Sequence, residues 1–206
     1  MERRKVPRGE VTLVGLGRLG LRTALSLMQA HRGGPERITA IDGQTISPDD
    51  LIFRTLGGRI GEYKTGFLEK LAGHGFGKEI TGIPAYISDG NLDLLRGDVV
   101  CIEIAGGDTL SLTAKMIRHA QGGGAATIST MGVFGIGDIP VKAVPIEDAD
   151  PDNPIVKTLW DLGVRNHTLV GTGKLIRDWE PVIPQVLDRV ALAMTSEILT
   201  LLEQRT

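Results

Sequence analysis

The stretch Val11-Thr12-Leu13-Val14-Gly15-Leu16-Gly17-Arg18-Leu19-Gly20 decides how the rest of the chain is read. VTLVG is an apolar run bounded by glycine, the pattern of a strand buried on both faces. Leu21, Ala24, Leu25 and Met28 follow at helical spacing, so the chain turns from strand into helix through Gly15, Gly17 and Gly20. His31-Arg32-Gly33-Gly34-Pro35 carries the basic, glycine and proline residues that end helices. RITAID (Arg37 to Asp42) then reads as a second strand. Strand, helix and strand in about 30 residues match a right-handed βαβ unit.

The glycines have separate tasks in such a turn. The first permits the tight bend, the second lets a phosphate approach the backbone, and the third lets helix and strand pack closely. Phosphate rests on the N–H groups at the helix start. Asp42 ends the second strand, where an acidic residue accepts hydrogen bonds from ribose hydroxyls. Gly15 to Asp42 accommodate NAD and ATP equally well.

Outward from this unit, strands and helices keep alternating. Thr65 to Gly73 reads as a short helix, Glu79 to Ile87 as a third strand and Asp98 to Ala105 as a fourth. Asp108 or Thr109 is placed to cap a helix burying Leu112, Met116, Ile117 and Ala120, and Ala125 to Thr130 is a fifth strand. After Met131 short apolar runs joined by Gly-Ile-Gly-Asp suggest an antiparallel return strand. Asp148 to Asn153 is a loop, Pro154 to Leu162 a short helix, HTLVGTG a strand, and Pro184 to Gln204 an amphipathic helix. The expected fold class is α/β: a Rossmann-like open sheet, mostly parallel, with an antiparallel part near the C-terminal end. Residues 1–206 are expected to form one nucleotide-binding domain, since no internal linker or repeat interrupts them.

Composition excludes several classes. A net charge of −2 and pI of about 6.1 give no bulk attraction to nucleic acid or membranes. Arg3, Arg4, Lys5 and Arg8 read as a solvated basic tail. The one cysteine, Cys101, rules out an intramolecular disulfide or a Cys-pair zinc site, and it sits in an apolar strand as an inert core residue. No apolar run has the length of a membrane span and no signal peptide is visible, so the expected compartment is the cytoplasm. His31, His74, His119 and His167 have no metal-ligand spacing and read as surface or turn residues.

The segments beyond Asp42 carry a family resemblance. IDGQTISPDDLIFRTL followed by IGEYK resembles the ThiF/MoeB/ubiquitin-activating-enzyme superfamily, whose glycine turn and strand-two aspartate precede D-x-D-x-V-x-x-S-N-L-x-R-Q and then I-G-x-x-K. The resemblance implies ATP and Mg²⁺ as cofactors and adenylylation of a carboxylate with release of pyrophosphate. It assigns Gly15, Gly17 and Gly20 to phosphates, Asp42 to ribose and Lys64 to the triphosphate. Aligned on Asn-Leu, Asp50 replaces the asparagine and Phe53 stands where arginine is expected, with Arg54 one place later. A local shift would bring Arg54 to the phosphates, in the role the resemblance implies for that arginine. For Mg²⁺, Glu103 lies within the fourth strand and Asp108 beyond its end; Asp108 is preferred because ligands bind outside the carboxyl ends of such strands.

The zinc-binding cysteine pairs and the mobile catalytic cysteine of the superfamily are missing, so the chain is expected to stop at the acyl-adenylate or pass it to a thiol-bearing acceptor protein. In size and cysteine poverty it is similar to the adenylyltransferase-type proteins of iron-guanylylpyridinol cofactor biosynthesis in methanogens, which implies the guanylylpyridinol carboxylate as substrate. The same resemblance implies a homodimer, for which Leu51-Ile52-Phe53 and the last helix offer an interface or, equally, monomer core. Lys174, Arg177 and Asp178 read as a surface loop that can also contact an anionic substrate. Two alternatives remain open: an NAD-dependent oxidoreductase, which shares the glycine turn and Asp42, and a non-catalytic nucleotide-binding protein of the same fold.

Overall fold

The computed structural model describes residues 6–73, 77–105, 107–175, 181 and 183–205. In chain order the helices and strands are β1 (Glu10–Val14), α1 (Arg18–Gln29), β2 (Arg37–Ile41), α2 (Leu51–Thr55), α3 (Lys64–Ala72), β3 (Glu79–Ile83) and β4 (Val99–Ile102). Then come α4 (Leu110–Gly122), β5 (Ala126–Thr130), β6 (Lys142–Pro145), α5 (Pro154–Asp161), β7 (Thr168–Gly171) and α6 (Pro184–Glu203). The strands join in the order β3-β2-β1-β4-β5-β7-β6. Every pairing is parallel except β6 with β7. The expected α/β class and the antiparallel return strand are both present.

The side-chain period of two explains the layering. Val11 and Leu13 of β1, with Val99 and Cys101 of β4, face a core shared with α1 and α6. Val14, Val100 and Ile102 face the opposite core, shared with α4 and α5. Central strands buried on both sides must be apolar on both, which is why VTLV and VVCI read as continuous runs.

The strand order reverses at β1 and β4: the chain runs outward from β1 through β2 to β3, then returns to place β4 on the other side. Open α/β sheets bind ligands in the crevice at such a switch point, beyond the carboxyl ends of the strands. Gly15 and Glu103 directly follow those two ends.

Three elements depart from expectation. β3 stops at Ile83 rather than Ile87, because Pro84 has no N–H to continue the ladder. β4 spans Val99–Ile102 within the longer apolar stretch. The segment SPDDLIFRTL, for which no element is expected, contains α2, whose five residues are too few to show a helical period.

Candidate functional site

The crevice is built from four short stretches. The first is the glycine turn. Gly15 has φ +94°, and a Cβ there would lie 2.8 Å from the Glu103 carbonyl oxygen. A Cβ on Gly20 would lie 2.0 Å from the Gly15 carbonyl oxygen. Both glycines are therefore required by the chain's own close packing. Gly17 is different: it precedes α1 in extended conformation, and a Cβ there would meet nothing within 4 Å. Its lack of a side chain leaves the start of α1 open.

Asp42 supports this turn from below. One carboxylate oxygen accepts a hydrogen bond from the Leu16 N–H at 2.6 Å and the other from the Gln44 N–H at 2.7 Å. The aspartate thus fixes the turn to the end of β2. A carboxylate has about four acceptor positions, so two remain for hydroxyl donors.

The third stretch is the Asp50 to Lys64 region. Backbone bonds from Ile46 to Glu62 and from Gly61 to Ile46 zip this excursion closed. Lys64 opens α3 but is only 4% exposed. Its ammonium donates to Gln44 Oε1 at 2.8 Å, lies 3.1 Å from Asp50 Oδ1 and stands 5.4 Å from the centre of the Phe53 ring. Burial works to raise the Asp50 pKa. The Ser47 N–H and hydroxyl, each 2.8 Å from Oδ2, and Lys64 outweigh it, holding Asp50 below the ordinary carboxylate range. Gln44, Ser47 and Asp50 were not singled out as ligands by sequence. They lie 20, 17 and 14 residues from Lys64, and only the return of the chain brings them together.

Phe53 is fully buried against Phe67, with ring centres 5.6 Å apart, so it belongs to the protomer's own core. Arg54 points the other way. It is exposed and its guanidinium donates to the Pro48 carbonyl at 2.9 Å, on the same turn that carries Asp50.

The fourth stretch follows β4. Glu103 lies on the Cys101 face, beneath α1. Its Oε1 accepts from the Cys101 thiol at 3.2 Å, while Oε2 is buried without a hydrogen-bond partner among the described residues. Burial pushes its pKa up to about 7, with the neighbouring Cys101 and Thr23 offsetting part of the rise. Burial, reinforced by Glu103, also pushes the Cys101 thiol up, as suits a core residue. Asp108 sits in a single 3₁₀ turn before α4, exposed and without a side-chain bond among the described residues; Thr109 is the cap residue. The two candidate acids thus differ: Glu103 is packed under the helix, and Asp108 stands free beyond the strand. No cluster of three metal-ligating side chains occurs among the described residues. Mg²⁺ bound through phosphate oxygens and waters needs only one or two carboxylates, and Asp108 fits that donor set.

On the far side, Asn153 caps α5 through Ile155 N–H and ties down the loops after β5 and β7 by donating to the Met131 and Gly173 carbonyls. Sequence placed it only in a loop. His167 corrects the surface reading. It is buried between Ser129 Oγ at 2.7 Å and Thr127 Oγ1 at 2.8 Å, and burial lowers its pKa to about 3. Lys174 is exposed, while His74, Arg177 and Asp178 lie outside the described residues.

Sheet order, switch point and glycine turn define a Rossmann-like open-sheet α/β protein. No family model matches the chain. HcgE from Methanothermobacter marburgensis, solved with guanylylpyridinol and ATP bound, is 64% identical over the full length of both chains, with a TM-score of 0.96. The uncharacterized protein MJ0693 of Methanocaldococcus jannaschii is 41% identical over 202 residues, covering 98% of this chain and 80% of that protein. The chain belongs to the HcgE family. The E. coli tRNA N6-threonylcarbamoyladenosine dehydratase TcdA, solved with AMP, shares the fold at 15% identity, with 96% of this chain and 87% of that one covered and a TM-score of 0.77.

Proposed function

We propose that this chain activates a small-molecule carboxylate with ATP, forming an acyl-adenylate and pyrophosphate, and that the acid is a guanylylpyridinol. Gly17 is the observation that carries the nucleotide half of this reading. It is the one glycine of the turn that the fold's own packing does not require, and it opens the start of α1 where phosphates bind. Full-length similarity to an HcgE that holds both ligands supports the acid.

The carboxylate oxygen attacks the α-phosphorus, the bond from that phosphorus to the β-bridging oxygen breaks, and pyrophosphate leaves with the electron pair. The acid needs no general base, since carboxylates are ionised near neutral pH. Asp42 orients ribose with its two remaining acceptor positions. Charge grows on the departing pyrophosphate, so a cation placed there stabilises the transition state more than the ground state. Lys64 supplies that cation: two of its three donors are committed to Gln44 and Asp50, which hold the ammonium in place and leave the third for phosphate. Arg54 joins it by exchanging the Pro48 carbonyl for a phosphate oxygen. Asp108 would hold Mg²⁺, which supplies further charge neutralisation on the phosphates.

Cys101 is buried beneath α1, so the activated acyl group passes to a thiol on an acceptor protein or leaves as the adenylate. A homodimer is part of the same reading, with exposed Leu51, Leu56 and Leu192 as its apolar surface; light scattering reports the mass.

The test is ATP–pyrophosphate exchange in the presence of guanylylpyridinol. Exchange that needs the acid supports the proposal. Tight NADH binding without ATP binding, or ATP binding with no exchange on any acid, overturns it.

A further inference from the structure

The ends of β1, β2 and β3 lie side by side, about 4.8 Å apart. The glycine turn follows the first and Asp42 the second. If phosphates sit at Gly17 and ribose at Asp42, the base extends toward the end of β3. Tyr86 stands there. It is 68% exposed, yet one face of its ring is seated on the backbone of Gly43: a Cβ at Gly43 would lie 2.5 Å from Cδ2, 2.6 Å from Cε2 and 2.8 Å from Cγ.

The loop that presents the ring is tied down on both sides. Asn91 donates from Nδ2 to the Tyr86 carbonyl at 3.0 Å and accepts the Ser88 N–H at 2.7 Å. Ile87 packs into the core shared with α4, and Asp89 pairs with Lys115 of α4 at 2.7 Å. An aromatic ring held this firmly, with one face filled by glycine and the rest open to solvent beside a ribose-binding acid, is a stacking platform.

We propose that Tyr86, seated on Gly43, stacks against the adenine of ATP and sets the affinity for the base; this rests on the ATP reading above. The residue positions the nucleotide and takes no part in bond making.

Calorimetry with ATP and with inorganic tripolyphosphate, which has no base, tests this on the full chain. Tyr86→Ala is expected to weaken ATP by roughly 5- to 100-fold, as loss of one base–aromatic stack does. Tripolyphosphate affinity should stay the same, and Tyr86→Phe, which keeps the ring, should restore ATP affinity to within about threefold. Gly43→Ala, which fills the seat of the ring, should weaken ATP when Tyr86 is present and add little to Tyr86→Ala. Equal loss of ATP and tripolyphosphate, or no loss of ATP, overturns the platform while leaving the ATP reading standing. A wild-type protein that binds tripolyphosphate but not ATP overturns both.

Discussion

Asp50 and Glu103 are each 9% exposed, and both lie near the crevice at the carboxyl edge of the sheet. Their ionisation is pushed in opposite directions. Asp50 has the Ser47 N–H and hydroxyl on one oxygen and Lys64 on the other, and its pKa falls. Glu103 has a weak thiol donor on one oxygen and no hydrogen bond on the other, and its pKa rises to about 7. Similar surface exposure therefore does not fix the charge: Glu103 lies much deeper, where burial dominates, and its donors are fewer and weaker than those of Asp50. The Asp50 region is built to keep a cation–anion pair charged, beside the proposed triphosphate site. The Glu103 region raises an acid's pKa toward neutrality under the glycine turn.

Removing the cation should break the contrast most. Lys64→Met leaves the Asp50 carboxylate buried without its counter-ion, and the expected loss is about 3–5 kcal/mol of stability with an exchange rate down by roughly a hundredfold or more. Urea unfolding at pH 7 and pyrophosphate exchange measure the two effects. A full exchange rate would remove Lys64 from the site.

Glu103→Gln approaches the same contrast from the other side. The folded-state pKa is raised, so wild-type stability is complete below the ordinary value of 4.5 and is lost as pH rises through about 7. The glutamine variant has no carboxyl to ionise. It should match wild type near pH 4 and exceed it by up to about 3 kcal/mol above pH 8. Melting curves across that range decide, and a pH-independent difference would show that Glu103 finds partners when charged.

The smallest change in stability is expected at Arg54. Arg54→Ala gives up one exposed bond to the Asp50 turn, so stability should stay within about 0.5 kcal/mol of wild type. Exchange should fall roughly tenfold through the lost phosphate cation. A large stability loss would mean that Arg54 supports the Asp50 turn instead.

The βαβ unit was legible because buried strands and amphipathic helices print their periods directly in the sequence, as VTLVG and Leu21 to Met28 do. Glycine spacing located the crevice as well. The rest depended on contacts that no period encodes. LIFRT is too short to show a helical face, and apolar EITGIPAYI hid the strand break at Pro84. The partners of Lys64 come from a fold-back, and the Glu103 orphan oxygen exists only because α1 closes over β4. His167 was misplaced because two hydroxyls on β5 make burial tolerable for a neutral imidazole, and nothing near it in sequence announces them.

Cys101 also makes the molecule its own timer. The chain's single thiol lies fully buried in the core that α1 and α6 close over the sheet, so a thiol reagent can reach it only when that packing opens. The labelling rate then counts openings of the core that α1 and α6 share with the sheet, with no engineered cysteine needed. A ligand resting on the start of α1 should slow that count in proportion to its occupancy.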